Sequence, residues 1–152
     1  MPIISGQSGG GSTSPGYEIG YDQITSSVNI ASTTESAGTT IITCAAHTFD
    51  GALVMVEFFS PFVTDSSVSS LTIVSLFESS TQISRLANTS ASNAAQQSSV
   101  ALTGRYRFTP SAGSHTYTVT AFANSTTGTP AVGAGAGGTG AYPPCFVRFT
   151  KV

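Results

Sequence analysis

Charge is scarce in this chain. Only 8% of its 152 residues are Asp, Glu, Lys or Arg, against roughly 25% in an ordinary soluble domain. A helical bundle or coiled coil needs Glu, Lys and Arg in bulk, so both are excluded, and charge-rich disorder falls with them. Five Lys and Arg against seven Asp and Glu cannot build the basic patch that displaces counterions from phosphates, so no nucleic-acid partner is expected. Long hydrophobic runs are missing too. The longest, around Gly51 to Phe59, is interrupted by Glu57 and falls far short of the eighteen or so apolar residues that cross a bilayer, so no membrane partner is expected. Tryptophan is absent, which removes the best aromatic platform for a sugar. The N-terminus, MPIISGQSGGGSTSPGYE, has neither a basic leader nor an apolar core, so it does not read as a secretory signal. Synthesis and folding in a cytosol are expected.

Cysteine is limited to Cys44 and Cys145, whose separation fits no metal or redox spacing. Two buried, reduced core thiols are the favoured reading, because a cytosol is reducing. The alternative is a pair brought together by neighbouring first and last strands. The sequons at Asn88 and Asn124 are read as chance matches in a chain so rich in hydroxyls.

What is present is apolar residues, at 39%, with 16 glycines and about 30% Ser plus Thr. That mixture makes a core large enough for one domain and a surface hydrated by hydroxyls. Residues 1–22 stand apart as an extended arm. Gly9-Gly10-Gly11 and the serines around it form a flexible tether, yet Ile3, Ile4, Tyr17, Ile19 and Tyr21 flank it as candidate anchors. The arm is either a tail with incidental apolar residues or a segment that orders on a partner.

Residues 23–152 alternate short β-rich runs with turn chemistry. Strands are expected near Val28–Ser32, Thr39–Ala46, Ala52–Phe59, Leu71–Glu78, Gln82–Ala87, Ser99–Phe108, His115–Ala123, Pro130–Gly133 and Cys145–Val152. In the seventh run His115, Tyr117, Val119 and Ala121 share one face. The third run is apolar on both faces, as in a central strand or a subunit contact. No segment shows a sustained helical period, although Ala87–Ser99 has room for a helical turn. The fold class is all-β, an antiparallel β-sandwich, most simply a jelly roll.

Chemistry is sparse. Gly133–Gly138 matches G-x-G-x-x-G, but the Thr139-Gly140-Ala141-Tyr142-Pro143-Pro144 that follows cannot form the helix that would hold a pyrophosphate. His47 and His115 have no metal spacing, and no G-x-S-x-G elbow supports a serine nucleophile. The acids are scattered singly. Glu57 and Glu78 lie in apolar strands, where pairing with Arg105 or Arg107 is favoured over a catalytic role. In Arg105-Tyr106-Arg107-Phe108 the arginines share one face and the aromatics the other. A solvated strand is favoured there over a basic stripe. His115, Tyr117, Arg105 and Arg107 are candidate subunit-interface residues. No catalytic residue, metal or cofactor is expected.

Thr109-Pro110-Ser111-Ala112-Gly113-Ser114-His115-Thr116-Tyr117-Thr118-Val119, the Gly133–Gly138 loop and the ending Ala141-Tyr142-Pro143-Pro144-Cys145-Phe146-Val147-Arg148-Phe149-Thr150-Lys151-Val152 together resemble a recurring module of tailed-bacteriophage virion proteins. The opening Met1-Pro2-Ile3-Ile4-Ser5-Gly6-Gln7 is also similar to small phage structural proteins. The resemblance implies a jelly-roll or tumour-necrosis-factor-like sandwich, commonly a homotrimer, and brings no catalytic residues. It also implies a virion location, on the capsid exterior after assembly in the host cytoplasm. The short chain, without a shaft, favours a capsid decoration (cement) protein whose arm clamps the major capsid protein. A fibre or tail adhesin that reads host glycan is the alternative.

Overall fold

Residues 14–64, 71–90 and 99–152 are described by the computed structural model of the chain. Alternation of inward apolar and outward polar residues dictates the architecture. In β10 (Tyr117–Ala123) and β12 (Cys145–Lys151) every second residue is buried, the signature of a strand with one face on a core. Among the described residues, ten of twelve strands lie in two antiparallel sheets that pack as a β-sandwich. One sheet contains β1 (Glu18–Ile24), β12, β5 (Val54–Thr64) and β8 (Ser99–Phe108) side by side. The short β11 (Ala131–Val132) and β2 (Val28–Asn29) extend it along the far end of β5. The facing sheet runs β3 (Thr39–Thr43), β10, β6 (Leu71–Glu78), β7 (Thr81–Ser90). A two-stranded ladder of β4 (His47–Asp50) and β9 (Ala112–His115) makes a third, smaller sheet.

The core lies between the two large sheets. Val54, Val56 and Phe58 of β5 face Val74 and Leu76 of β6 and Val119 of β10, all essentially without solvent exposure. Tyr117 is ringed by Phe49, Phe108 and Phe149 at centroid distances of 5.7, 5.6 and 5.2 Å, within the range of favourable aromatic packing. Along one side the sheets converge until β8 touches β7. A Cβ on Gly104 would lie 1.9 Å from the Leu86 carbonyl oxygen, so only glycine permits that approach.

Several expected boundaries shift, each for a local reason. The chain enters the sandwich at Glu18, where β1 pairs with β12, so the last five residues assigned to the arm belong to the sheet. The seventh run breaks at Thr116. His115 ends β9 on the β4 ladder, while Tyr117 starts β10 in a different sheet. The third run continues to Thr64, because a register shift between Ser60 and Val63 lets Pro61 pass without a ladder hydrogen bond. The fifth run extends to Ser90, and the rest of the stretch considered for a helical turn, residues 91–98, lies outside the described residues. The first and eighth runs contract to two-residue bridges. The Gly133–Gly138 loop has no helix after it. Instead Gly135 packs where a Cβ would lie 2.2 Å from the Tyr142 carbonyl oxygen. No helix among the described residues is long and apolar enough to cross a membrane.

Both cysteines are free and buried. Burial pushes each thiol up to about 12, and Asp22 adds to the effect at Cys44.

Candidate interaction face

β5, the longest strand of its sheet, is flanked on both sides, by β12 and β8. Its inward residues fill the core, yet its outward residues are also largely apolar. Cross-strand register lines these up with their neighbours. Phe59 pairs with Phe146, and Gln23 of β1 pairs with Phe146 from the other side. The Phe59 and Phe146 rings stack at 5.4 Å, and Tyr21 stacks on Phe146 at 5.3 Å. The result is an aromatic band across three strands on the outside of the sandwich, half-buried at its centre and 42% exposed at Tyr21.

A charged row runs beside this band. Tyr21, Arg148, Glu57 and Arg105 are successive cross-strand partners. Arg105 donates to Glu57 Oε1 at 2.6 and 2.9 Å, and Arg148 donates to Glu57 Oε2. Burial alone would push the Glu57 carboxyl up, but hydrogen bonds and charge from the two arginines outweigh it and hold the group below the usual carboxylate range. Arg107 sits opposite Met55 at the next row, with no partner among the described residues. The face is thus apolar along its middle, with a neutralised acid and a surplus of arginine on one side.

The predicted residues distribute unevenly over this geometry. Tyr21, Arg105 and Arg107 come together on the face. Tyr17 is exposed just before β1, where its carbonyl accepts from the Lys151 N–H at 2.9 Å. Ile19 packs against the core. Ile3 and Ile4 lie outside the described residues. Tyr117 is fully buried within the single chain, so it is a core residue and leaves the interface set. Phe59, Phe146, Met55 and Arg148 belong on the face and were not singled out from the sequence. The double-sided apolarity of the third run pointed to the β5 members. The alternation Phe146-Arg148-Thr150 carried the β12 members but reads equally as a solvated face.

His115 lies in β9, outside the β1–β12–β5–β8 sheet. Its Nδ1 lies 2.5 Å from Glu78 Oε1, and its Nε2 lies 3.2 Å from the Ser111 hydroxyl, the order of a Ser–His–acid triad. Nε2 is also 3.0 Å from the carbonyl oxygen of Ser111. Both ring nitrogens are therefore engaged, Nδ1 by Glu78 and Nε2 by the hydroxyl and carbonyl of Ser111. The array acts as a clamp between β9 and β6. Among the described residues, no three His, Cys, Asp or Glu side chains converge as a metal site would need.

No protein-family model and no curated protein matches the chain.

Proposed function

We propose that the chain is a non-enzymatic structural protein of a bacteriophage virion, a homotrimeric capsid decoration protein on the outside of the shell. The observation that carries this reading is the outer face of the β1–β12–β5–β8 sheet. Its Tyr21–Phe146–Phe59 band and Met55 offer a second copy of the chain an apolar surface on a strand otherwise central in its sheet. An aromatic patch with arginine at its margin is the composition of a protein interface. The order of the long strands, with β1, β12, β5 and β8 facing β3, β10, β6 and β7, supports the finer reading of the sandwich as a jelly roll. Assembly takes place in the host cytoplasm.

In this reading the segment before β1, with Ile3, Ile4 and Tyr17, reaches the major capsid protein. Burial of its apolar side chains, at about 25 cal/mol per Å², offsets the cost of ordering it. Three such segments on one trimer share an effective concentration. Light scattering after size exclusion tests the first half, with a trimer expected, and a Phe59→Ser/Phe146→Ser variant expected to run as a folded monomer. A wild-type monomer sinks the reading. Capsid co-sedimentation tests the second half. Deleting residues 2–16 is expected to leave a trimer that no longer binds capsids, and retained wild-type binding contradicts the role given to the segment.

A further inference from the structure

The opposite face of the sandwich carries a different kind of surface. There the segment around a short 3₁₀ turn, Glu35–Ala37, folds over the outside of the β3–β10–β6–β7 sheet. Between it and the β6–β7 turn lies a cleft of about 250 Å³. Six hydroxyl-bearing residues line it: Ser36, Thr40, Ser79, Ser80, Thr118 and Thr120. None of these hydroxyls has a hydrogen-bond partner among the described residues. Phe77, 8% exposed, supplies an apolar floor. Gly38 keeps the cleft open, since a Cβ there would lie 2.9 Å from the Thr120 hydroxyl. Ser79 adopts φ +53° at the rim, a left-handed conformation that glycine would take at lower cost.

The charge in the cleft is already matched. Glu35 Oε1 accepts from Ser75, Gln82 and the Arg85 Nε at 2.8, 2.6 and 2.8 Å, while Oε2 accepts from Arg85 alone at 2.6 Å. Hydrogen bonding from Arg85 is the main reason the carboxyl is held down at about 2. With its charge paired and Oε1 saturated, Glu35 is poorly suited to a cation. Arg85, engaged by the carboxylate through two nitrogens, is poorly suited to an anion. Oε2 retains acceptor capacity for one more donor. Unengaged hydroxyls, a spare acceptor and a small apolar floor, without net charge, match a neutral polyol. The volume lies just below the roughly 300–1,000 Å³ of drug-sized sites, room for a single ring.

We infer that this cleft binds one neutral hexose unit of a surface glycan. The inference rests on the cleft alone and stands or falls independently of the capsid reading. Saturation-transfer difference NMR on the full chain, with the methyl glycosides of glucose, galactose, mannose and N-acetylglucosamine at millimolar concentration, tests it. Transfer to at least one glycoside is expected. The near-isosteric Thr118→Val/Thr120→Val variant is expected to weaken it about tenfold or more. The exposed-turn variant Ser80→Ala provides a second reading that leaves the sheet intact, and Arg107→Ala, on the opposite sheet, is expected to bind as wild type. No transfer to any of the four, transfer that persists in both cleft variants, or equal loss in Arg107→Ala overturns the inference.

Discussion

His47 and His115 stand directly opposite each other in the β4–β9 ladder, and each reaches a carboxylate on a different large sheet. His47 Nε2 lies 2.6 Å from Asp22 on β1, and His115 Nδ1 lies 2.5 Å from Glu78 on β6. Lys151 of β12 reaches back to Asp50 at the other end of β4. The small sheet is therefore a strap that ties the two large sheets together at one end of the sandwich.

Asp22 also accepts the Ala45 N–H at 2.9 Å, and its side chain is 14% exposed. Asp22→Ala is expected to destabilise the fold by about 1–3 kcal/mol. Glu78→Ala, at a more open position, is expected to cost less than about 1 kcal/mol. Because both act through one ladder, the double variant should depart from additivity by about 0.5 kcal/mol or more. Urea denaturation of the four proteins measures this coupling, and strict additivity means that the strap does not link the sheets.

Glu35 sets an acid limit. Its carboxyl is lowered from 4.5 to about 2, chiefly by the hydrogen bond from Arg85. A lowered acid stabilises the folded state fully above its unfolded value, and that stabilisation fades as pH falls through the folded value. Wild type should therefore exceed Glu35→Gln in melting temperature at neutral pH, with the gap closing between about pH 4.5 and about pH 2. Thermal denaturation across that range checks it. A gap that widens on acidification reverses the sign.

The hydroxyl of Tyr117 is buried with no hydrogen-bond partner among the described residues. Burial pushes it up to about 12, with Glu78 and Cys44 adding to the effect. Removing a buried, unsatisfied donor relieves its desolvation cost while the ring contacts remain. Tyr117→Phe is expected to be neutral or to stabilise by up to about 1 kcal/mol. Loss of stability would mean that the hydroxyl has a partner.

Cys44 and Cys145 are protected twice, by burial and by thiols raised to about 12. The thiolate is the reactive species. Neither should be alkylated by iodoacetamide in the native protein at neutral pH, and both should react once the chain is denatured. Mass spectrometry reads the difference. Rapid native labelling of either would place it at an accessible position.

The strand pattern was legible wherever one face met the core, as in β10 and β12, because alternation records a single buried side. It failed where tertiary contact overrode local chemistry. Glu18–Ile24 follows a Gly/Ser tether and reads as its continuation, and only pairing with β12 makes it a strand. Thr116 continues a perfect alternation, yet the chain changes sheets there. The salt-bridge reading of Glu57 with Arg105 was available from the sequence, and so was the placement of both arginines on one face. Arg148 as a second partner of Glu57 was not, since register between distant strands sets it. The hydroxyl cleft was hidden for a similar reason. Its serines and threonines resemble dozens of others until the fold gathers six of them, without partners among the described residues, around one hollow.

Pairing has a consequence for how this molecule meets others. Glu35, Asp50 and Glu57 each hold an arginine or lysine of another element, and Asp22 and Glu78 each hold a histidine, leaving Glu18 and Arg107 outside these pairs among the described acids, lysines and arginines. With few charges and a formal net charge of -2, the chain projects only a weak long-range field. A partner arrives by unsteered diffusion, with an association rate constant of about 10⁵–10⁶ M⁻¹s⁻¹, and that rate should hold nearly constant as ionic strength rises.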